Sequence, residues 1–206
     1  MKVLIACEFS GIVREEFRKL GHEAWSCDLL PTEIPGNHYQ GDIFEFLKLE
    51  RYWDLMIAHP PCTRLTVAAN KYYKPEYANR FPNIQIERKK AVKFFMDIVH
   101  IPIKKKCIEN PIGIMSSLYK KPSQIIQPYQ FGETERKATC LWLENLPKLT
   151  STDIVKPEII YHASGKTDSM LHYRSLRLPP KDRQKLRSKT FLGIAKAMAE
   201  QWSNYD

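Results

Sequence analysis

The sequence predicts an α/β fold built on a doubly wound, mostly parallel sheet, and three observations carry that expectation. Over the first 110 residues short apolar runs alternate with helical patterns, the order that builds right-handed strand–helix–strand crossovers. One run, WDLMIAHP at 53–60, is nearly continuous in apolar content, as a strand covered on both faces must be. ERKKAVKFFMDIVH at 87–100 gathers Ala91, Phe94, Phe95, Ile98 and Val99 on one helical side, the stripe a helix needs to lie on such a sheet. At 206 residues the chain is long enough for one full core and too short for two large ones.

Taken in order, KVLIACE reads as the first strand. GIVREEFRKLG follows as a helix, with Ile12, Val13, Phe17 and Leu20 near one face and Gly21 as its stop. HEAWSCDLL is the second strand, and HYQGDIFEFLKL gives a short third strand and a turn or two of helix. WDLMIAHP is the fourth strand, the 87–100 helix follows, KKCIENP is the fifth, and ATCLWLENL is a sixth or seventh. Ligands of such sheets bind outside the carboxyl ends of the strands. From residue 146 the texture turns polar, loop-rich and basic, and TFLGIAKAMAEQW closes the chain as a last helix. The expected organisation is therefore a core over 1–145, a short basic substrate-binding segment over 146–189, and a helix in 190–206 that packs back on the core.

Composition narrows the class. A hydrophobic share of 43% with 27% charged residues is ordinary for a globular protein. Met1 leads straight into a strand with no signal-peptide pattern and no apolar run near membrane-spanning length, so a cytoplasmic location and no membrane partner are expected. Cys7, Cys27, Cys62, Cys107 and Cys140 are odd in number and lack CxxC spacing, which argues against a disulfide framework and against a metal site. Charge is uneven. Residues 1–60 carry 6 lysines and arginines against 10 acids, whereas residues 166–189 carry 8 against 2. A basic region confined to one part of the chain fits a polyanionic partner or a solubility surface.

Two strand ends stand out chemically. WDLMIAHPPCTRLTV delivers Cys62 to the sheet's edge behind Pro60-Pro61, which fix two φ angles. His59 and Arg64 flank it, and nearby positive charge would lower the thiol pKa; the plainer alternative is a buried cysteine acting as a small hydrophobe. KKCIENP sends Glu109 to the next strand end, where it is either a ring-holding carboxylate or a cap for GIMSSLYK. A nucleophile and a carboxylate on two stiffened ends suit an electron-poor ring held between them.

FSGI after strand one, Asp28 after strand two, GDI at 41–43, PPC at 60–62 and ENP at 109–111 occur in the order used by DNA cytosine C5-methyltransferases. The chain resembles a short, phage- or prophage-type member of that family lacking a full target-recognition domain. The resemblance covers residues 1–145 and the final helix. It implies a class I S-adenosylmethionine-dependent methyltransferase, Rossmann-like, with a small basic C-terminal extension. It further implies a cysteine, Cys62, that adds to C6 of cytosine, with Glu109 holding the N3/N4 edge and Arg64 beside them. S-adenosyl-L-methionine would be the cofactor, held by Phe9, Ser10, Gly11, Ile12, Asp28, Leu29, Asp42, Ile43 and Pro60. A base inside a duplex cannot reach such a site, so it must be flipped out or already single-stranded.

DNA is the expected partner, through Lys71, Lys74 and Arg80 of a lid that also carries Tyr72, Tyr73, Tyr77 and Phe81, and through Arg136, Lys137, Arg174, Arg177 and Arg183. A protein partner or self-association would supply the missing specificity. The chain departs from the family at three points. Val13 stands where a second glycine is usual, ENP replaces Glu-Asn-Val, and GETERKATCLWL lacks a clean Gln-x-Arg-x-Arg. Alternatives are the same chemistry on single-stranded DNA, RNA or a nucleotide, a modified donor group, or a non-catalytic binder on the same scaffold. Methylation of an exocyclic amine is disfavoured, because HPPC has neither the polar first residue nor the aromatic of that motif.

Overall fold

A computed structural model describes residues 1–203; residues 204–206, the end of the expected C-terminal helix segment, lie outside the described residues. Seven strands make one sheet: β1 (Lys2–Ala6), β2 (Glu23–Asp28), β3 (His38–Gln40), β4 (Leu55–Ala58), β5 (Lys105–Pro111), β6 (Gln124–Ile126) and β7 (Thr139–Glu144). Their order is β3-β2-β1-β4-β5-β7-β6. The pairs β2–β3, β1–β2, β1–β4 and β4–β5 are parallel, and β7 runs antiparallel between β5 and β6. The fold is thus α/β, doubly wound and mostly parallel.

Period-two alternation divides each central strand between two cores. Val3, Ile5, Leu55 and Ile57 face α1 (Ile12–Lys19) through Val13 and Phe17, and α7 (Leu192–Trp202) through Ile194, Met198 and Trp202. Leu4, Ala6, Met56 and Ala58 face the other way, onto Phe46 of α2 (Ile43–Leu49) and onto Phe95 and Ile98 of α3 (Ile84–Val99). All four residues of β4 are fully buried, which is why its sequence reads as an unbroken apolar run.

The expected elements are present with shifted bounds. β1 stops two residues early because Cys7 takes a left-handed φ of 59°. α3 begins at Ile84, which buries its side chain, rather than at Glu87. β6 went unread in the sequence because a three-residue edge strand carries too little pattern. The basic segment holds more order than its composition implies: a hairpin of β8 (Ile159–Tyr161) and β9 (Thr167–Ser169), then α5 (Met170–Ser175) and α6 (Pro180–Ser188). Among the described residues no helix is long and apolar enough to cross a membrane.

The strand order reverses between β1 and β4, so the crevice outside their carboxyl ends is the switch point where sheets of this kind bind ligands. Residues 7–11 and 59–62 line it.

Candidate active site

At the end of β1, Glu8 turns inward and is buried. Its carboxylate accepts hydrogen bonds from the Val13 and Arg14 amides at 2.7 and 3.3 Å, and from the Ser10 hydroxyl at 3.1 Å. Burial pushes the Glu8 carboxyl up, against the pull of His59 and of the α1 amides. The α1 N-terminal amides are therefore already taken by a carboxyl group. A dinucleotide pyrophosphate, which uses helix N-terminal amides in this fold, would meet a carboxylate here. A phosphate-free nucleoside cofactor suits the site better.

Gly11 N-caps α1 at φ 76°, and a Cβ there would stand 2.8 Å from Arg14 Nη2. Arg14 is fully buried and donates to Ser26 Oγ, Thr32 Oγ1 and the carbonyls of Ile34 and Asn37, fixing the loop after β2. Val13, in place of the usual second glycine, sends its side chain into the core, so the departure leaves the crevice unaltered.

The other expected cofactor residues gather at neighbouring strand ends. Asp28 closes β2; burial pushes its carboxyl up, while the Leu30 amide, 2.9 Å from Oδ1, opposes the shift. Leu29 is 72% exposed, an apolar face with no protein covering it. Asp42 is the N-cap of α2, and the Phe44 and Glu45 amides both donate to its Oδ1. Ile43 is buried behind it, and Phe9 is 7% exposed under the ammonium of Lys185, 5.3 Å from the ring centre. Lys185 and Lys189 also pair with Glu33, at 3.0 and 2.5 Å, so α6 lies against this edge of the crevice.

Cys62 and Glu109 are held by a shared scaffold. Pro60 is buried, and its carbonyl accepts the Asn110 side-chain amide at 2.7 Å. The Cys62 carbonyl accepts from the Leu65 and Thr66 amides. The loop then pairs with the one following β5: Ile114 N–H donates to Leu65 O and Val67 N–H to Ile112 O. The two backbones approach so closely that a Cβ on Gly113 would stand 2.2 Å from Leu65 O.

Glu109 sits within the β5–β7 ladder opposite Leu141, not at a helix end; α4 (Met115–Leu118) has Ile114 as its N-cap. His59 Nδ1 lies 3.1 Å from Glu109 Oε2, with both side chains largely buried. Burial pushes the Glu109 carboxyl up, but the His59 hydrogen bond, the Lys137 charge and the His59 charge together hold it below the usual carboxylate range.

The sequence led to an expectation of a lowered Cys62 thiol, and the structure corrects it. Burial pushes the thiol up and the Glu109 charge adds to that, while Lys137 and Arg187 pull it back only in part. Arg64 is turned away, with Nη2 2.6 Å from Glu87 Oε2 on α3. The cations facing the thiol come instead from residues far along the chain.

Residues expected on nucleic acid divide into two groups. Arg183 is spent inside the protein, donating to the carbonyls of Ser175, Leu176 and Leu178, so it closes α5 and is not open to phosphate. Lys137 belongs to the thiol's surroundings, with Nζ bonded to Arg187 O. Arg136 donates to Thr167 Oγ1 on β9, and its Nε is buried without a partner. In the lid, Lys71 lies over Tyr72 and Arg80 over Phe81, and Tyr72 packs edge-on against Tyr77 and Phe81, so these rings already cover one another. Lys74 is exposed, Arg174 is exposed with no side-chain partner among the described residues, and Arg177 approaches Tyr173. Sequence reasoning missed Asn110, Glu8 and Glu33; only Asn110 had a signal, its place inside ENP. Among the described residues no group of three or more His, Cys, Asp or Glu is placed to hold a metal ion.

No family model and no curated protein matches the chain. Among solved structures, a candidate DNA modification methyltransferase encoded within a prophage (E. coli) is similar at 15% identity and a TM-score of 0.43, over 87% of this chain. This chain spans 56% of the length of that one.

Proposed function

We propose that the protein is an S-adenosyl-L-methionine-dependent methyltransferase acting on C5 of cytosine in DNA through a covalent Cys62 adduct. The single observation that carries this reading is the scaffold that ties the turn carrying the Cys62 thiol to the strand carrying the Glu109 carboxylate, through the Asn110 amide on the Pro60 carbonyl and the paired loops after β4 and β5. A pure binding protein has no use for that pair.

The cofactor reading is supported by the Glu8 carboxylate on the α1 amides, which disfavours phosphate, and by Asp28, whose carboxylate suits a ribose diol. Phe9, Ser10, Gly11, Ile12, Leu29, Asp42, Ile43 and Pro60 would complete its pocket. When bound, the cofactor supplies an electrophilic methyl group. Cys62 attacks C6 and makes C5 electron-rich, Glu109 holds the N3/N4 edge where charge develops, and Lys137 and Arg187 favour the thiolate. Arg174, Arg177, Lys71 and Lys74 supply phosphate contacts, which position the strand without reading sequence.

Nucleoside mass spectrometry tests the proposal. Protein and S-adenosyl-L-methionine are incubated separately with duplex DNA, single-stranded DNA, RNA and free nucleotides, with Cys62→Ser alongside. The expected result is 5-methylcytosine in DNA, absent with Cys62→Ser. The same product only in another pool changes the substrate, while N4-methylcytosine or N6-methyladenine overturns the roles of Cys62 and Glu109.

A further inference from the structure

His59 has no part in the resemblance described above, yet it sits on the line between the two halves of the crevice. Its amide donates to Ala6 O at 2.9 Å, which fixes the residue at the switch point beside the end of β1. Nδ1 reaches Glu109 Oε2 at 3.1 Å, so the carboxylate there selects the tautomer with its proton on Nδ1, and among the described residues Nε2 is buried with no partner. The charged groups bearing on it come from the strands packed against it: Glu8 after β1, Asp28 at the end of β2 and Glu109 on β5, with the Lys137 charge bearing in turn on Glu109.

Attack at C6 creates a need that Glu109 alone cannot meet. As the Cys62 sulfur pair forms the S–C6 bond, the C5=C6 pair moves to C4–C5 and the C4=N3 pair moves onto N3, which must take a proton. An ionised Glu109 accepts hydrogen bonds from the base but has no proton to give.

We propose that His59 is the proton-holding positioning residue of this site, passing its Nδ1 proton through Glu109 to N3 of the target cytosine and taking it back when the adduct collapses. The inference rests on the cytosine C5 reading. The transfer leaves His59 neutral, Glu109 ionised and N3 protonated. On collapse the N3 proton returns along the same path and the pair it leaves restores C4=N3, the C4–C5 pair restores C5=C6, and the S–C6 pair returns to sulfur.

Hydrogen exchange at C5 without any methyl donor reads these steps. In deuterium oxide the C4–C5 pair of the adduct takes a deuteron at C5, the original C5 proton leaves, and collapse yields cytosine one mass unit heavier. The wild-type rate should rise with pH as Cys62 ionises. His59→Asn keeps a donor toward Glu109 but has no proton to pass on, so it should exchange about a hundredfold more slowly or worse, whereas a merely orienting role would be rescued by this variant. His59→Gln serves as the second variant, with thermal melting to confirm that each is folded.

One result overturns the inference: a folded His59→Asn or His59→Gln variant that keeps the wild-type exchange rate. Failure of the C5 reading looks different, because exchange would then be absent in the wild type or would persist in Cys62→Ser.

Discussion

The side-chain amide of Asn110 donates to the main-chain carbonyl of Pro60 across 2.7 Å in a buried setting. That bond ties the end of β5 to the turn that presents Cys62, so the carboxylate strand and the nucleophile turn are positioned as one unit. Asn110→Ala leaves the Pro60 carbonyl without its donor, at a cost of about 1–3 kcal/mol. Calorimetry should record a melting temperature lower by roughly 2–4 °C per kcal/mol. On the chemistry proposed above, turnover should fall further than stability, on the order of a hundredfold, because a thiol displaced by an ångström would no longer meet C6. Unchanged turnover with a lowered melting point would assign Asn110 to the fold alone.

Cys62 reactivity should respond to its neighbours with opposite signs. Glu109 favours the neutral thiol, and Lys137 and Arg187 favour the thiolate. Since the thiolate is the reacting form, alkylation should rise with pH through a limb displaced upward from an ordinary cysteine. Lys137→Gln removes a favourable cation and should move that limb higher still, with Arg187→Gln acting in the same direction. Glu109→Gln removes an opposing charge and should move it lower. Peptide mass spectrometry after iodoacetamide treatment follows Cys62 apart from the other four thiols. Shifts of one sign in all three variants would show that burial, rather than charge, sets the thiol.

The pairing of the loops after β4 and β5 depends on Gly113. A Cβ added there would stand 2.2 Å from Leu65 O, which is backbone and cannot swing aside. Gly113→Ala should destabilise the protein by about 1–3 kcal/mol, the usual range for overpacking. Gly21 is the control: its φ is 82°, and nothing lies within 4 Å of an added Cβ. Gly21→Ala meets only left-handed backbone strain, roughly 1–2 kcal/mol. Chemical denaturation measures both losses, and turnover separates the pair, since Gly113→Ala alone should slow it. Equal turnover in the two variants would dissociate the loop pairing from catalysis.

The sheet was readable because its signals are local. Four fully buried β4 residues force an apolar run, and α3 carries its stripe on consecutive turns. The placement of Cys62 just after β4 and of Glu109 near the end of β5 was readable for a related reason, since each strand pattern is local and a proline stands beside each residue. What the sequence hid lies far apart along the chain. Lys137 and Arg187 face a thiol 75 and more positions away, whereas Arg64, only two residues from it, is drawn off by Glu87. Charge adjacent in sequence was read as charge adjacent in space, and ion pairing decided otherwise. Arg183 misled for the same reason: composition counts a cation without showing that three carbonyls have claimed it.

That difference makes Arg174 and Arg183 a test of which basic residues meet a nucleic acid. Both lie in the same basic segment, but Arg174 is exposed without a side-chain partner among the described residues, whereas Arg183 closes the end of α5. A cation that neutralises one phosphate contributes about 0.9 to the slope of log K against log salt. Arg174→Ala should therefore weaken single-strand or duplex binding and lower that slope by roughly one unit or less, with the melting temperature unchanged. Arg183→Ala should leave the slope intact and destabilise the protein, because the carbonyls of Ser175, Leu176 and Leu178 lose a charged donor, worth about 1.5–3 kcal/mol for one such bond. Fluorescence anisotropy across a salt series, run beside thermal melts, reads both quantities on the same preparations. A lowered slope with Arg183→Ala would mean that its guanidinium leaves those carbonyls when DNA arrives. α5 and α6 would then form a surface that rearranges on binding instead of one fixed in advance.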